Sequence, residues 1–460
     1  MSYHPTDTAR LYAGASPNRL WLWLLARTGD PLARLLEPGF RGDAYGLYEQ
    51  MRAQEPVYRS RTGMLAVLSY DRCSRVLHDP RFWAWRSFAH PAGRRVPPPG
   101  EILGAAGPFE ARMQENDHAC TVAASLVKPA LQLSVSRVEV TAHNLLDRAA
   151  DGDAFDLIDD FALPLVTACL SEVLGIPHGD SARFADLCAV MGRSIGGRPS
   201  ARQAEELHDA NEDLEALLIR LQRERRKHPG GDLISRLTAA RRGRTPEHDP
   251  DRLLGHVRQP ERRKNPDAGT TGWPSTAPAR LNLEEIVEAC KELIVSGLDI
   301  AVNLIGNAVA ALAASPDQWQ MLKAAPQLAD KAAEETLRFD PPRQFILRIA
   351  SERIELAGHT VPSGSRVLVM LAAAHRDPDQ FPDPARFDIS RTSGPRHLAV
   401  SRAMGLESSL ARLTGEIALR TLASRLPELR MAGQAVRRPG GAVRGFVHLP
   451  LRARAAPMGC

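Results

Sequence analysis

The sequence predicts an α+β protein that is mostly helix with small sheets, and three observations carry that expectation. Apolar residues recur at helical spacing from about residue 110 to 237 and again from 281 to 316. Strand-like alternation is confined to short stretches at 57–70, 353–374 and 430–453. Each of these stretches is broken by turn residues, so the sheets are small and the helices make the bulk of the fold.

In chain order, SPNRLWLWLLARTGDP opens with Ser16 as N-cap and Pro17 at the first helical position, and Gly29 and Pro31 stop it. AYGLYEQMRAQEP is a second amphipathic helix, and VYRSRTGMLAVLSY alternates around Thr62-Gly63 as a β-hairpin does. FALPLVTACLSEVLGI, SARFADLCAVMGRSIGG and ARQAEELHDANEDLEALLIRLQRERRKHPGG are helices separated by breakers, the last long and partly exposed. Residues 241–280 have no period and are rich in Pro, Gly and Arg, which predicts a flexible basic insertion. Leu281 to Pro316 is apolar nearly all round in its second half, the mark of a central buried helix. RIELAGHTVPSGSRVLVMLAAA gives short strands, and RMAGQAVRRPGGAVRGFVHLPLRA a last hairpin.

Bulk properties narrow the function. A net charge of +5 spread over 460 residues is too weak and dispersed for a nucleic-acid partner. Cys73, Cys120, Cys169, Cys188, Cys290 and Cys460 include no CxxC pair, which predicts reduced thiols, no disulfides and a cytoplasmic protein. The run LWLWLLA is far shorter than the roughly 20 residues of a membrane span, and no cleavage site follows it, so neither a membrane nor secretion is expected. Arg greatly outnumbers Lys, as in proteins of high-GC bacteria.

The motif with most chemical content is KAAEETLRFDPP, where Glu335 and Arg338 are three apart on one helix face and Asp340-Pro341-Pro342 ends the helix. Alone, such a pair is a solvated surface salt bridge worth about 0.3 kcal/mol. It is followed by RDPDQFPDPARFDISR, then HLAV, then LARLTGEIALRTL. On these segments the chain resembles the cytochrome P450 superfamily, in its bacterial soluble class, from roughly Pro38 to Leu451. The resemblance implies that Glu335, Arg338 and Arg386 form a buried Glu-Arg-Arg cluster, in which one carboxylate between two guanidiniums satisfies charge and fork geometry without water.

Three segments depart from the family pattern. The loop before the last long helix, where the family supplies a cysteine thiolate to haem iron, reads SRAMGLESS, holds no Cys or His, and is two residues shorter, roughly 7 Å of extended reach. Met404 is the only soft atom there, and a thioether does not supply the electron push of a thiolate. SGLDIAVN resembles the glycine motif of the oxygen-activating helix, with Gly297 and with Asp299 at the acid position, but Ile300 stands where a threonine is expected and has no proton to donate. NDHACTVAASLVKPAL resembles the helix that anchors a haem propionate: His118 is present, Val122 replaces its basic partner, and Arg348 fits a second anchor.

The resemblance extends to the haem-less P450-derived activators of macrolide and anthracycline deoxysugar glycosyltransferases. It implies a non-catalytic protein with no cofactor and no metal, which binds and stabilises a glycosyltransferase. Residues 1–37 are then an N-terminal helical extension to a P450-like domain at 38–460, and Leu20, Trp21, Trp23 and Leu24 are candidate partner-binding residues. The alternatives are a haem monooxygenase with an unusual ligand, such as His397 or Cys460, and a cofactor-free enzyme, for which no nucleophile–base pair is evident.

Overall fold

The structure, a computed structural model, describes residues 17–37, 40, 42–54, 57–84, 117–149, 152–194, 201–240, 281–400, 407–440 and 442–452. Ser16, Met404, Cys460 and the basic insertion lie outside the described residues.

Two short helices, α1 (Pro17–Arg27) and α2 (Pro31–Leu35), lead into α3 (Ala44–Gln54). Asp30 caps α2, its Oδ1 accepting from Ala33 N at 2.9 Å, and its carboxylate also takes the Ser60 hydroxyl and the Arg61 N–H. That one buried carboxylate ties the N-terminal helices to the first hairpin, β1 (Val57–Arg59) and β2 (Leu65–Val67). Leu22, Ala26, Leu32 and Leu35 share one core with Tyr48, Met51, Leu368 and Met370, so the segment before residue 38 packs on the same apolar cluster as the sheet.

After α4 (Tyr70–His78) and β3 (Phe82–Ala84), the helical half begins with α5 (Asp117–Ala149), which carries Pro129 inside it. β4 (Ala154–Asp156) and a π-helical turn at Leu157–Ala162 lead to α6 (Leu163–Leu174), α7 (Ser181–Ser194), α8 (Ala201–Lys227) and α9 (Leu233–Ala239). Gly175 ends α6 at φ +72°, where a Cβ would lie 2.7 Å from the Asp232 side chain. α10 (Leu283–Ala314) runs through the centre, started by a capping box between Asn282 and Glu285. It is long and apolar enough to cross a membrane, but it is the buried axis of the helical core.

α11 (Pro316–Ala324) and α12 (Ala329–Phe339) are followed by β5 (Ile346–Ala350), β6 (Ile354–Leu356), β7 (His359–Val361), β8 (Arg366–Val369) and the short α13 (Leu371–Ala374). α14 (Glu407–Arg425) packs along α10, and β9 (Val436–Arg437), β10 (Phe446–His448) and β11 (Pro450–Arg452) close the chain. The early hairpin does not form a sheet of its own. β2 pairs in parallel with β8, and the order β1-β2-β8-β5-β3 joins two distant parts of the sequence in one five-stranded sheet. β4, which lies in a region of helical pattern, exists because β11 supplies its partner, Phe155 opposite Leu451.

Candidate functional site

α10 is apolar by composition, yet it carries a buried polar stripe at 292, 296, 299, 303 and 307, the three-and-four spacing of one helix face. Ser296 donates to Glu292 Oε1 at 2.7 Å. Asn303 Nδ2 donates to the carbonyl of Asp299 at 2.7 Å and to its Oδ1 at 3.0 Å. Burial pushes the Asp299 carboxyl up, opposed by the charges of Arg343 and Arg438 and by the Asn303 hydrogen bond. Ile300 is buried in the apolar core, and the partner of Asp299 is therefore an amide one turn on. The helix runs on as regular α-helix through Gly297 without a break, so Asp299 neither caps nor interrupts it. Gly297 serves close packing: a Cβ there would lie 2.9 Å from Leu410 Cδ2 on α14 and 3.6 Å from Leu170.

The C-terminal hairpin is pressed onto this stripe. A Cβ on Gly445 would fall 1.9 Å from Asn303 Oδ1, so only glycine lets the strand come this close. Arg438 Nε donates to Asn303 Oδ1 at 3.2 Å, completing a chain from guanidinium to amide to carboxylate. Asn307 Nδ2 donates to the carbonyls of Asp340 and Arg444. The Asp340 carboxylate in turn takes Arg444 Nε at 2.7 Å and the Tyr45 hydroxyl at 3.0 Å.

At the C-terminal end of α12, Glu335 Oε1 and Oε2 accept from Arg338 Nη2 and Nε, both at 2.8 Å. Arg338 Nη1 donates to the carbonyls of His375 and Pro384, and Nη2 also to that of Arg386, so all five N–H groups of this buried guanidinium have acceptors. The second arginine on Glu335 is Arg391, with Nε at 3.4 Å, and the assignment of Arg386 to that place is corrected. Arg386 follows the turn at Asp383 (φ +45°) and precedes the buried Phe387; its side chain is exposed and only its backbone carbonyl enters the cluster. Arg391 turns back, and its guanidinium also bridges the carbonyls of Pro382, Asp383 and Arg386.

The neighbouring Glu334 forms a second unit. It accepts from His397 Nε2 at 3.1 Å and from Arg412 Nε, which fastens α12 to the HLAV turn and to α14. Burial would raise its carboxyl, but the His397 and Arg412 hydrogen bonds and charges outweigh this and hold it at about 2. His375, fully buried, accepts the Leu398 N–H at Nε2, 2.8 Å, and stacks edge to face with His397. Burial and the nearby His397 and Arg338 charges push it well below the ordinary imidazole range.

Arg348 lies on β5 opposite Ala84 and Val367, buried, with Nη1 donating to the Leu347 carbonyl. His118 falls in the first turn of α5 with its side chain outside the described ones, and Val122 is half-buried on the next turn. Residues 401–406, Met404 among them, lie outside the described residues. Cys73, Cys169, Cys188 and Cys290 are buried, and burial raises each thiol, to about 12 for Cys169 and Cys188. On α1, Leu22 and Ala26 face the core, whereas Trp21 and Leu24 are 47% and 48% exposed. Trp23 is half-buried beneath the Arg27 guanidinium at 4.2 Å, and the Leu20 side chain lies outside the described ones.

Asn303, Arg391, Arg438, Glu334 and Arg412 were not picked out from sequence. Asn303 had a signal, since it stands four residues after Asp299 on a helix. The arginines lie far along the chain from their partners and had none.

Comparison with known proteins places these segments. Residues 303–398 match the family model "Cytochrome P450". The chain is 33% identical over 431 residues to the cytochrome P450 monooxygenase PikC of Streptomyces venezuelae, covering 90% of this chain and 92% of that protein. It is 31% identical over 421 residues to the protein DesVIII of the same organism, covering 90% and 86%. Among solved structures, P450BioI in complex with an acyl carrier protein ligated by hexadec-9Z-enoic acid superposes with a TM-score of 0.70 at 27% identity, over 89% of this chain and 98% of that one.

Proposed function

The chain belongs to the cytochrome P450 family, and on that premise we propose that it is a non-catalytic member, holding no haem, that binds, stabilises and activates a deoxysugar glycosyltransferase of macrolide- or anthracycline-type antibiotic biosynthesis in the cytoplasm. Relatives of similar identity include a monooxygenase as well as DesVIII, so overall similarity does not choose between roles. The residues do.

The observation that carries the reading is the donor set. The chain has no cysteine from Lys291 to Gly459, the span that contains the loop where the resemblance places the thiolate. The described cysteines before it are Cys120 and four buried thiols packed in apolar cores, and such thiols do not ionise to become ligands. His397, the alternative ligand, already spends Nε2 on Glu334, and Leu398 and Ala399 beside it pack with the sheet cluster rather than with Ile300. Asp299 is met by the Asn303 amide where the family pattern has a hydroxyl from the next residue. This residue set does not fit haem, and no chemical step is assigned to the pocket.

What persists is scaffold. A binder that favours the active conformation of its partner activates it by its differential affinity, and about 3 kcal/mol gives more than a hundredfold. The outer face of α1 is the docking element we assign: Trp21 and Leu24 stand outward while Leu22 and Ala26 hold the helix to the core. The test is a spectrum and a pull-down. Protein expressed with haem precursor is expected to show no Soret band, and co-expression with a deoxysugar glycosyltransferase, which this reading expects to be encoded by a neighbouring gene, to give a complex of raised thermal stability. Stoichiometric haem overturns the reading.

A further inference from the structure

The C-terminal hairpin, residue 40, the start of α3 and the segment after α12 line a small cleft that opens to solvent. Its polar wall is almost wholly cationic: Arg437, Arg438 and Arg444, with Gln344, beside Phe40 and the glycines of the hairpin. We infer that this pocket is a binding site for a compact oxyanion of the phosphate class, free or as the terminal phosphoryl group of a larger molecule.

The charge balance within the pocket is uneven. Asp340 is the buried acid on this side, and its Oδ1 is already taken by Arg444 and Tyr45. Its Oδ2 forms a long ion pair with Arg437 Nη1 at 3.5 Å, and among the described residues that buried atom has no hydrogen bond of normal geometry. Arg376, stacked 3.6 Å over the Tyr45 ring, adds a further cation to the surroundings of Asp340. Asp299 and Asp159 act on Arg438, and Asp43 stands at the start of α3. Burial and the adjacent Arg444 charge push the Arg437 guanidinium below its ordinary range, with Asp340 opposing. A guanidinium in this position gains most from an added acceptor bearing negative charge.

Geometry favours a preformed site. Arg437 is held over the Phe446 ring at 4.2 Å, and Arg438 is aligned by Asn303. The hairpin that carries them is fixed by the Gly445 contact on α10 and by the Gly440 N–H on the Phe40 carbonyl, 3.1 Å. Several separate forks around one small space suit a tetrahedral dianion, whose oxygens accept from different directions, better than a planar carboxylate of single charge.

The test is thermal unfolding of the full chain at constant ionic strength, with chloride replaced by inorganic phosphate, for wild type, Arg437→Gln and the exposed control Arg353→Gln. Phosphate at about 20 mM is expected to raise Tm by about 2 °C or more in wild type and control beyond any rise in R437Q. The general salting effect of phosphate is common to all three proteins and cancels. Calorimetric titration of wild type and Arg437→Lys, which keeps charge but loses the fork, is expected to show at least about tenfold weaker phosphate binding in the lysine variant. Equal Tm shifts in wild type and R437Q, or no phosphate binding to wild type by calorimetry, overturn the proposal. Adenosine monophosphate serves as the second probe: tighter binding than inorganic phosphate assigns the phosphoryl group of a larger molecule, weaker binding assigns the free ion, and both uphold the site.

Discussion

The end of α12 and the junction of α10 with the C-terminal hairpin are both buried and both built around an acid among arginines, yet they are finished differently. In the first, Arg338 uses all five of its donors and both Glu335 oxygens accept, with Arg391 and four backbone groups closing the set. In the second, Arg437 Nη1 and Asn307 Oδ1 are buried without hydrogen bonds among the described residues, and three arginines but no acid line the cleft there. A fully satisfied buried network is a scaffold, because removing any member strands the rest; an under-satisfied one has spare capacity for a ligand. The family's structural motif survives in the first region, and the second adjoins the stretch of α10 that departs from the family pattern.

The comparison breaks most sharply at Glu335. Glu335→Gln leaves Arg338 as a buried cation with no full countercharge and is expected to cost about 3 to 5 kcal/mol in urea unfolding. A loss below about 1 kcal/mol would show that the cluster is not structural. Next, Gly445→Ala drives a methyl into Asn303 and is expected to cost about 2 to 3 kcal/mol and to abolish the phosphate effect on Tm. Third, Arg391→Ala removes the second arm on Glu335 at a cost of about 1 to 2 kcal/mol, whereas Arg386→Ala stays within about 0.5 kcal/mol. Reversal of that order would restore Arg386 to the cluster.

The smallest effect is on pH. His375 is buried neutral with its proton affinity lowered, so the unfolded chain binds a proton first and stability falls as pH drops below about 6.5. Glu334, lowered from 4.5 to about 2, contributes stability that is fully present above about pH 4.5 and is lost as pH falls towards 2. Since its side chain is 43% exposed, that second loss is screened to about 1 kcal/mol, and Glu334→Gln should remove it. Equal stability of E334Q and wild type above pH 4.5, or an equally steep fall of both between pH 4.5 and 2, would exclude the role assigned to the His397–Glu334–Arg412 link.

The parts that were legible in the sequence are those set by neighbours along the chain. The capping box at Asn282, the Glu335–Arg338 spacing and the hairpin at Thr62-Gly63 are local, and the helix and strand periods around them need no distant partner. The exchange of Arg386 for Arg391 shows where this stops. Two arginines five residues apart look alike in sequence, and the turn at Asp383 with the burial of Phe387 decides which one faces Glu335. The polar stripe of α10 was likewise hidden, because its residues are sparse among aliphatic ones and matter only through what packs on them.

The amino-acid order alone set the helical axis, the short strands, the Glu335–Arg338 pair and the want of a thiol between Lys291 and Gly459. Those follow from local geometry and from which elements the side chains contain. Packing in three dimensions is what joins β2 to β8, sets Asn303 against Asp299, and gathers three arginines of the last hairpin and its flank around one small cleft. Such pairings depend on which faces of the distant elements can be packed together to bury apolar surface and satisfy polar groups at once, and no spacing along the chain encodes them.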